Sequence, residues 1–334
     1  MLCIIHSPYH VAQVKAGLTQ APLTPISQAI EDGVISRREL KALMRRSNGP
    51  ALIHLIAFAC TLGLTGYGIS LAAGSVWIWP AMFIHGIVVV HLFSLQHECV
   101  HYTPFRTRWL NDLVGHFCGF AIAVPHRYFR YEHCDHHTFT NLRGQDPELI
   151  PLPDSIAGYL LYLSSWPYWK AKFGQLFRHP FGQFDETEQA FIPRTERNAI
   201  TWEARLTVLG YLGILAFCFY TAWWAPLWYW WLPLFLGEPV MRGIRMTEHV
   251  GRPTVADMRI NTRSCLVSAP WRFLCWNMNY HSAHHYAASV PFHALPKLHQ
   301  RLAGELYTER GGYLAAHRDM LARIGNNESS AHHT

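Results

Sequence analysis

Apolar and polar positions along this chain separate into four long hydrophobic segments that come as two pairs. Residues 51–73 (ALIHLIAFACTLGLTGYGISLAA) and 76–96 (VWIWPAMFIHGIVVVHLFSLQ) each supply the roughly 20 residues that a helix needs to cross a bilayer. Only Gly74 and Ser75 separate them. Residues 206–224 and 226 to about 241 form the second pair around Ala225, with Pro233 expected to kink the fourth segment. Connections this short cannot hold a domain, so each pair is expected to be a helical hairpin that crosses and returns. Two further apolar runs, 113–124 and 156–168, are too short to span and are expected to lie in the interface or re-enter.

Charge gives the hairpins a direction. No Lys or Arg occurs between Ser47 and Phe105 or between Leu206 and Met241. Arg37, Arg38, Lys41, Arg45 and Arg46 precede the first segment, Arg106, Arg108, Arg127 and Arg130 follow the second, and Arg242 and Arg245 follow the fourth. By the positive-inside rule both termini and residues 97–205 are expected on the cytoplasmic side. Trp77, Trp79, Trp223, Trp224, Trp228, Trp230 and Trp231 sit near segment ends, where interfacial aromatic belts form.

Composition agrees. Of the 334 residues, 50% are hydrophobic and only 15% charged, against roughly 25% charged in an average soluble domain. The net charge of +6 falls mostly on the face beside anionic headgroups, so it calls for no nucleic-acid partner. Eight scattered cysteines without a C-x-x-C pair read as reduced apolar residues. The start, MLCIIHSPYH, lacks the basic and long apolar regions of a cleaved signal peptide, and the tail from about Gly325 is polar and expected to be disordered. The expected architecture is all-α and integral to the membrane, with four transmembrane helices in two hairpins under a cytoplasmic helical cap. Its divisions are a segment 1–50, a membrane domain 51–302 and a segment 303–334.

Twenty-two histidines change the picture from a membrane protein to a metal-binding one. HECVH carries His97 and His101, HCDHH carries His133, His136 and His137, and HSAHH carries His281, His284 and His285. Positions i, i+3 and i+4 share a helix face, so each cluster can aim two or three imidazoles at one point. His249, in TEHVG beyond the fourth segment, is a ninth candidate. All four groups leave the membrane on the same side and can converge. One ion accepts at most about six ligands, and a catalytic zinc takes about three from protein, so eight or nine imidazoles point to two metal ions.

Alternatives are weaker. HECVH alone reads as the H-E-x-x-H of a zinc protease, but that leaves two histidine boxes unexplained. A ferritin-like carboxylate site needs two E-x-x-H motifs, and only Glu98 to His101 fits. A metal carrier would string ligands along a membrane path rather than gather them at one face. Glu98, Glu132, Asp135, Asp146 and Glu248 are candidates to orient ligand imidazoles. His54, His85 and His91 are expected to serve helix packing or line a cavity. His116, His126, His179, His293 and His299 are expected to be structural or at the surface, and His332 and His333 sit in the tail.

HxxxH, HxxHH and HxxHH with two hairpins between the boxes resemble the integral-membrane fatty acid desaturase and hydroxylase superfamily. YFRYEHCDHHTFTN followed by DPE, then TEHVGRP, NTRS and NMNYHSAHHYAASVPFHALPKLH, extend the resemblance over roughly residues 51–302. It implies a cytoplasmic site of two non-haem irons held by histidines, O₂ as co-substrate, and an acyl lipid or other apolar substrate. His249 matches the position that completes the family's ligand set. The chain departs from relatives in several places. Its first box is HxxxH and not the HxxxxH of acyl-CoA Δ9 desaturases, and its third box begins with His281 and not Gln. Arg245 stands where some relatives have Asn. No H-P-G-G motif of a fused cytochrome b5 is present, so electrons are expected from a separate donor, of ferredoxin type or a cytochrome b5 with a flavin reductase. Imidazole suits several metals. Iron follows from the resemblance and from the need for a redox metal to remove hydrogen from an unactivated CH₂. The third-box region resembles acyl-lipid desaturases, so a C=C bond is the expected product, with hydroxylation, ketolation or oxygenation of a lipid, carotenoid or small molecule as the alternative.

Overall fold

The computed structural model describes residues 25–326. The first residues of the chain and the final polar stretch with His332 and His333 lie outside the described residues. Two short helices, α1 (Pro25–Glu31) and α2 (Arg37–Leu43), lead in, the second opened by a capping box in which Ser36 and Glu39 satisfy each other's backbone N–H groups. α3 (Asn48–Ala72) is 25 residues without a charged side chain. Ile53, Leu64 and Leu71 on its sides are each at least 70% exposed, an arrangement that suits hydrocarbon and not water. Gly74, with φ +77°, turns the chain into α4 (Ile78–Val90) and α5 (Leu92–Val100). Together these two run as one apolar rod, offset at His91, whose Nδ1 bonds to the carbonyl of Ile87 at 2.6 Å.

Then come α6 (Arg108–Ala121), α7 (His126–Phe139), α8 (Ile156–Leu163), α9 (Trp166–Arg178) and α10 (Glu186–Phe191). The long α11 (Arg197–Thr221) ends at Ala222, and a π-helical turn, Leu227–Trp231, runs into α12 (Leu232–His249). The last part holds α13 (Ala269–Leu274), α14 (His281–Tyr286), α15 (Leu295–Arg301) and α16 (Gly312–Gly325). Its one sheet among the described residues is a two-residue parallel pair, Ser264–Cys265 beside Thr308–Glu309. The protein is therefore a helical one.

Three helical stretches among the described residues are long and apolar enough to cross a membrane: Asn48–Ala72, Ile78–Val100 and Arg197–Thr221. The fourth apolar segment forms the π turn and the first half of α12. Pro233 falls where the π turn gives way to α-helix, and Pro239 is the proline inside the helix. α12 lies against α4, and at the crossing Gly86 meets Gly237. A Cβ on Gly86 would sit 2.0 Å from the carbonyl oxygen of Pro233, so only glycine permits this approach. Beside it, His85 bonds Thr65 at 2.7 Å and the carbonyl of Tyr229 at 3.0 Å, tying α3, α4 and the π turn together. His54 bonds the carbonyl of Phe273 and stacks on its ring. These histidines do serve helix packing, as the sequence suggests.

The first of the two short apolar runs becomes an amphipathic helix. On α6, Trp109, Leu113 and Phe117 recur every fourth residue and face outward. The run 156–168 is not one helix: Ser165, at φ +60°, breaks it into α8 and α9. α16 packs back on the bundle, with Met320 and Ile324 against Met246 and Val250. None of the seven cysteines among the described residues is in a disulfide.

Candidate metal centre

Each ligand candidate sits where a helix ends or turns toward the same point. His97 is in the last turn of α5 and His101 caps it. α7 projects His133, His136 and His137, α12 ends on His249, and the short α14 is built almost wholly of its box, His281, His284 and His285. The structure brings all nine together in two groups. His97, His101, His133, His137 and His284 form one, and His136, His249, His281 and His285 the other, each with ring nitrogens within 4.8 Å of one another. His116, His126, His179, His293 and His299 belong to neither group.

The nitrogen spacing decides what the groups suit. Nε2 of His137 lies 3.0 Å from Nε2 of His133 and 3.1 Å from Nε2 of His284. Nε2 of His281 lies 3.0 Å from that of His249 and 3.1 Å from that of His285. Two nitrogens at right angles on an ion at about 2.1 Å stand roughly 3.0 Å apart, so the spacing fits shared ligation. The buried Nε2 atoms of His97 and His136 have no hydrogen-bond partner, which is costly unless a metal takes the lone pair. Burial first, and then the neighbouring imidazoles, hold His133, His137, His281, His284 and His285 well below the usual histidine range. They are neutral at pH 7, the state a metal requires. His136 is the exception: burial opposes its charge, but Asp146 and Glu148 outweigh it and raise its pKa.

Outer nitrogens are fixed from behind. Asp146 takes Nδ1 of His136 at 2.8 Å, and Glu148 takes Nδ1 of His133 at 2.7 Å. Thr140 bonds Nδ1 of His285 at 3.0 Å. Each contact leaves Nε2 aimed inward, the usual device for orienting a ligating imidazole. Asp146 is itself held by the backbone N–H of Asn141 at 2.7 Å. Burial works against its carboxylate, yet His136 and this bond keep its pKa below the ordinary value.

Of the acidic residues singled out in the sequence, Asp146 occupies the expected place. Glu248 comes only to 3.7 Å from Nε2 of His281. Glu132 points elsewhere, accepting the Tyr128 hydroxyl at 3.0 Å, because neighbours on a helix face directions about 100° apart. Glu98, the glutamate of HECVH, accepts from Thr103 at 2.8 Å and the Phe292 N–H at 3.1 Å, and comes no nearer than 3.9 Å to Nδ1 of His284. Its Oε2 is therefore held by a threonine hydroxyl and a backbone N–H of the fold. Glu148 and Thr140 were not singled out. The DPE that follows the second box was a usable signal for Glu148.

Residues 75–316 match the family model for fatty acid desaturase. The chain belongs to the fatty acid desaturase family. The relatives it matches carry the names of fatty acid and acyl-lipid desaturases and conjugases. It is 22% identical to the sn-1 oleoyl-lipid 12-desaturase of Arthrospira platensis over 329 residues, 92% of this chain and 90% of that protein. It is 26% identical to the sn-1 acyl-lipid omega-3 desaturase (ferredoxin) of a Nostoc strain over 167 residues, 46% of this chain and 44% of the relative. A shorter match, 34% over 91 residues, joins it to fatty acid conjugase FAC2 B of Calendula officinalis, covering 27% of this chain and 24% of the conjugase. The chain thus spans under half of the omega-3 desaturase and about a quarter of the conjugase. Each of the paired histidine groups could hold a metal ion.

Proposed function

We propose that the protein is a membrane acyl-lipid desaturase whose nine histidines hold two irons. The observation that carries this reading is the division of those histidines into two buried groups, with adjacent Nε2 atoms 3.0–3.1 Å apart. Iron, when bound, would supply the redox chemistry toward O₂ that zinc lacks. A –CH₂–CH₂– unit, O₂, two electrons and two protons give –CH=CH– and two waters, so a separate one-electron donor is required. A ferredoxin-type protein or a cytochrome b5 with its reductase fits this need.

The residues of the chain supply position. A narrow cavity reaches His97 and His281 between walls that include Phe93, Met241, Ile244 and Met278. These residues give the cavity an apolar side next to the histidine groups, while Glu248, Arg263 and Asn279 give it a polar one. Holding one methylene pair steady there is the protein's main contribution, since small misplacements are costly in rate. The 51–302 region acts as the membrane domain, with 1–50 and 303–334 as flanking segments. Four crossings, with α12 and its π turn as the fourth, place both termini and the histidine site on the cytoplasmic side. The three long apolar helices and the Lys/Arg distribution support this topology.

Expression with a compatible reductase under ¹⁸O₂, followed by mass spectrometry of total lipids, tests the reaction. New double bonds without label support desaturation. A product carrying one ¹⁸O assigns the protein to the hydroxylase or oxygenase branch.

A further inference from the structure

Arg245 lies one turn before His249 on α12 and is 5% exposed. Its guanidinium donates from one nitrogen to Oε2 of Glu148 at 2.6 Å and from another to Oε2 of Glu248. Glu148 turns its other oxygen to Nδ1 of His133, in the first histidine group. Glu248 lies 3.7 Å from Nε2 of His281, in the second. Beneath the guanidinium is the ring of Phe93, 5.4 Å away, on the helix that carries His97.

We propose that Arg245 is a positioning residue that clamps Glu148, the carboxylate behind His133, to Glu248, the carboxylate beside the inward nitrogen of His281, and so sets the geometry of both metal groups together. The inference rests on the two-ion reading above. A planar fork suits this task, since its donors address two carboxylates in fixed directions where a lysine offers a single point charge. Both carboxylates are nearly buried. Without the cation between them they repel, Glu148 swings away, and Nδ1 of His133 loses the acceptor that aims its Nε2 inward. The effect then passes along α12 to Glu248 and the second group. A neighbouring pair provides the contrast: Arg242 and Glu238, bonded at 2.7 Å on the same helix, touch none of the nine histidines.

The test is anaerobic titration of the purified, metal-stripped full-length protein with Co(II), read by visible absorption and by bound metal per chain. Wild type takes up two ions. R245Q loses 10–100-fold in affinity, the range for removing an outer partner of a metal ligand, with a changed cobalt spectrum at both groups. R245K recovers part of the loss. R242Q removes a buried arginine from the same helix and keeps wild-type affinity and spectrum. E148Q weakens binding as well, and R245Q/E148Q is no worse than the poorer single variant, because the two act as a unit. If R245Q fails to accumulate, R245K and E148Q carry the same comparison. Wild-type affinity in R245Q, an equal loss in R242Q, or additive losses in the double variant would overturn the clamp alone. Failure of the wild type to take up two ions overturns the two-ion reading and the clamp with it.

Discussion

His137 and His284 stand Nε2 to Nε2 at 3.1 Å, although 147 residues of chain separate them. One comes from α7 and the other from α14, and everything between, including α11 and α12, must fold for them to meet. The histidine centre is therefore a product of the whole bundle, and each ligand holds one wall of it.

Replacing either residue with alanine removes a ligand from a group of five and should abolish turnover while the protein still inserts, because insertion rests on the long apolar helices. His179→Ala should behave in the opposite way. His179 is buried and bonds Glu188 at 2.9 Å, away from both groups. Its loss should cost about 1–3 kcal/mol of stability and leave activity per folded molecule unchanged. Lipid analysis beside thermal unfolding of the two variants separates these outcomes, and loss of activity in both would contradict the partition.

The Gly86–Gly237 crossing should not tolerate a methyl group. Gly86→Ala drives a Cβ to 2.0 Å from backbone oxygen, which cannot move as a side-chain tip can. The expected cost is about 1–3 kcal/mol or more, seen as a lower unfolding temperature in detergent. Gly63→Ala on α3, with nothing within 4 Å of the new Cβ, should be neutral or slightly stabilising. Equal effects at the two positions would show that the crossing is not tight.

Glu132 gives a pH dependence with a definite sign. Burial, with nearby carboxylates adding to it, raises its pKa to about 7 from an ordinary 4.5. Below the ordinary value both folded and unfolded forms are protonated, and the residue has no effect on stability. As pH rises through the window between them the unfolded chain ionises first, so stability falls, and the loss is complete above about 7. Glu132→Gln keeps an acceptor for the Tyr128 hydroxyl and removes the titration. Its unfolding temperature should match the parent near pH 4.5 and exceed it at pH 8. A constant difference across that range would contradict the assignment.

The site was more legible in the sequence than its supports. His133, His136 and His137 follow the i, i+3, i+4 rule, which local helix geometry enforces wherever the helix goes. The spacing therefore survived folding intact. Thr140 reaches His285, and Arg245 reaches Glu148, through tertiary packing, and no local pattern marks either contact. Glu132 was misread because a sequence neighbour of a ligand is not a spatial one on a helix. The fold divides in the same way. Long apolar runs declared α3, α4 with α5, and α11, whereas the break at Ser165 depends on a left-handed backbone at a non-glycine residue, which composition does not announce. The Glu238–Arg242 pair inside α12 also escaped notice, since the positive charge it neutralises sits just beyond the apolar run.

A centre of nine histidines for two irons shows itself in the metal content per chain. Protein purified from iron-replete cells without chelating resin should carry about two irons by elemental analysis, and His284→Ala and His285→Ala, one from each group, should each reduce that number. A single zinc per chain, unchanged by either substitution and accompanied by peptidase activity, would contradict the account.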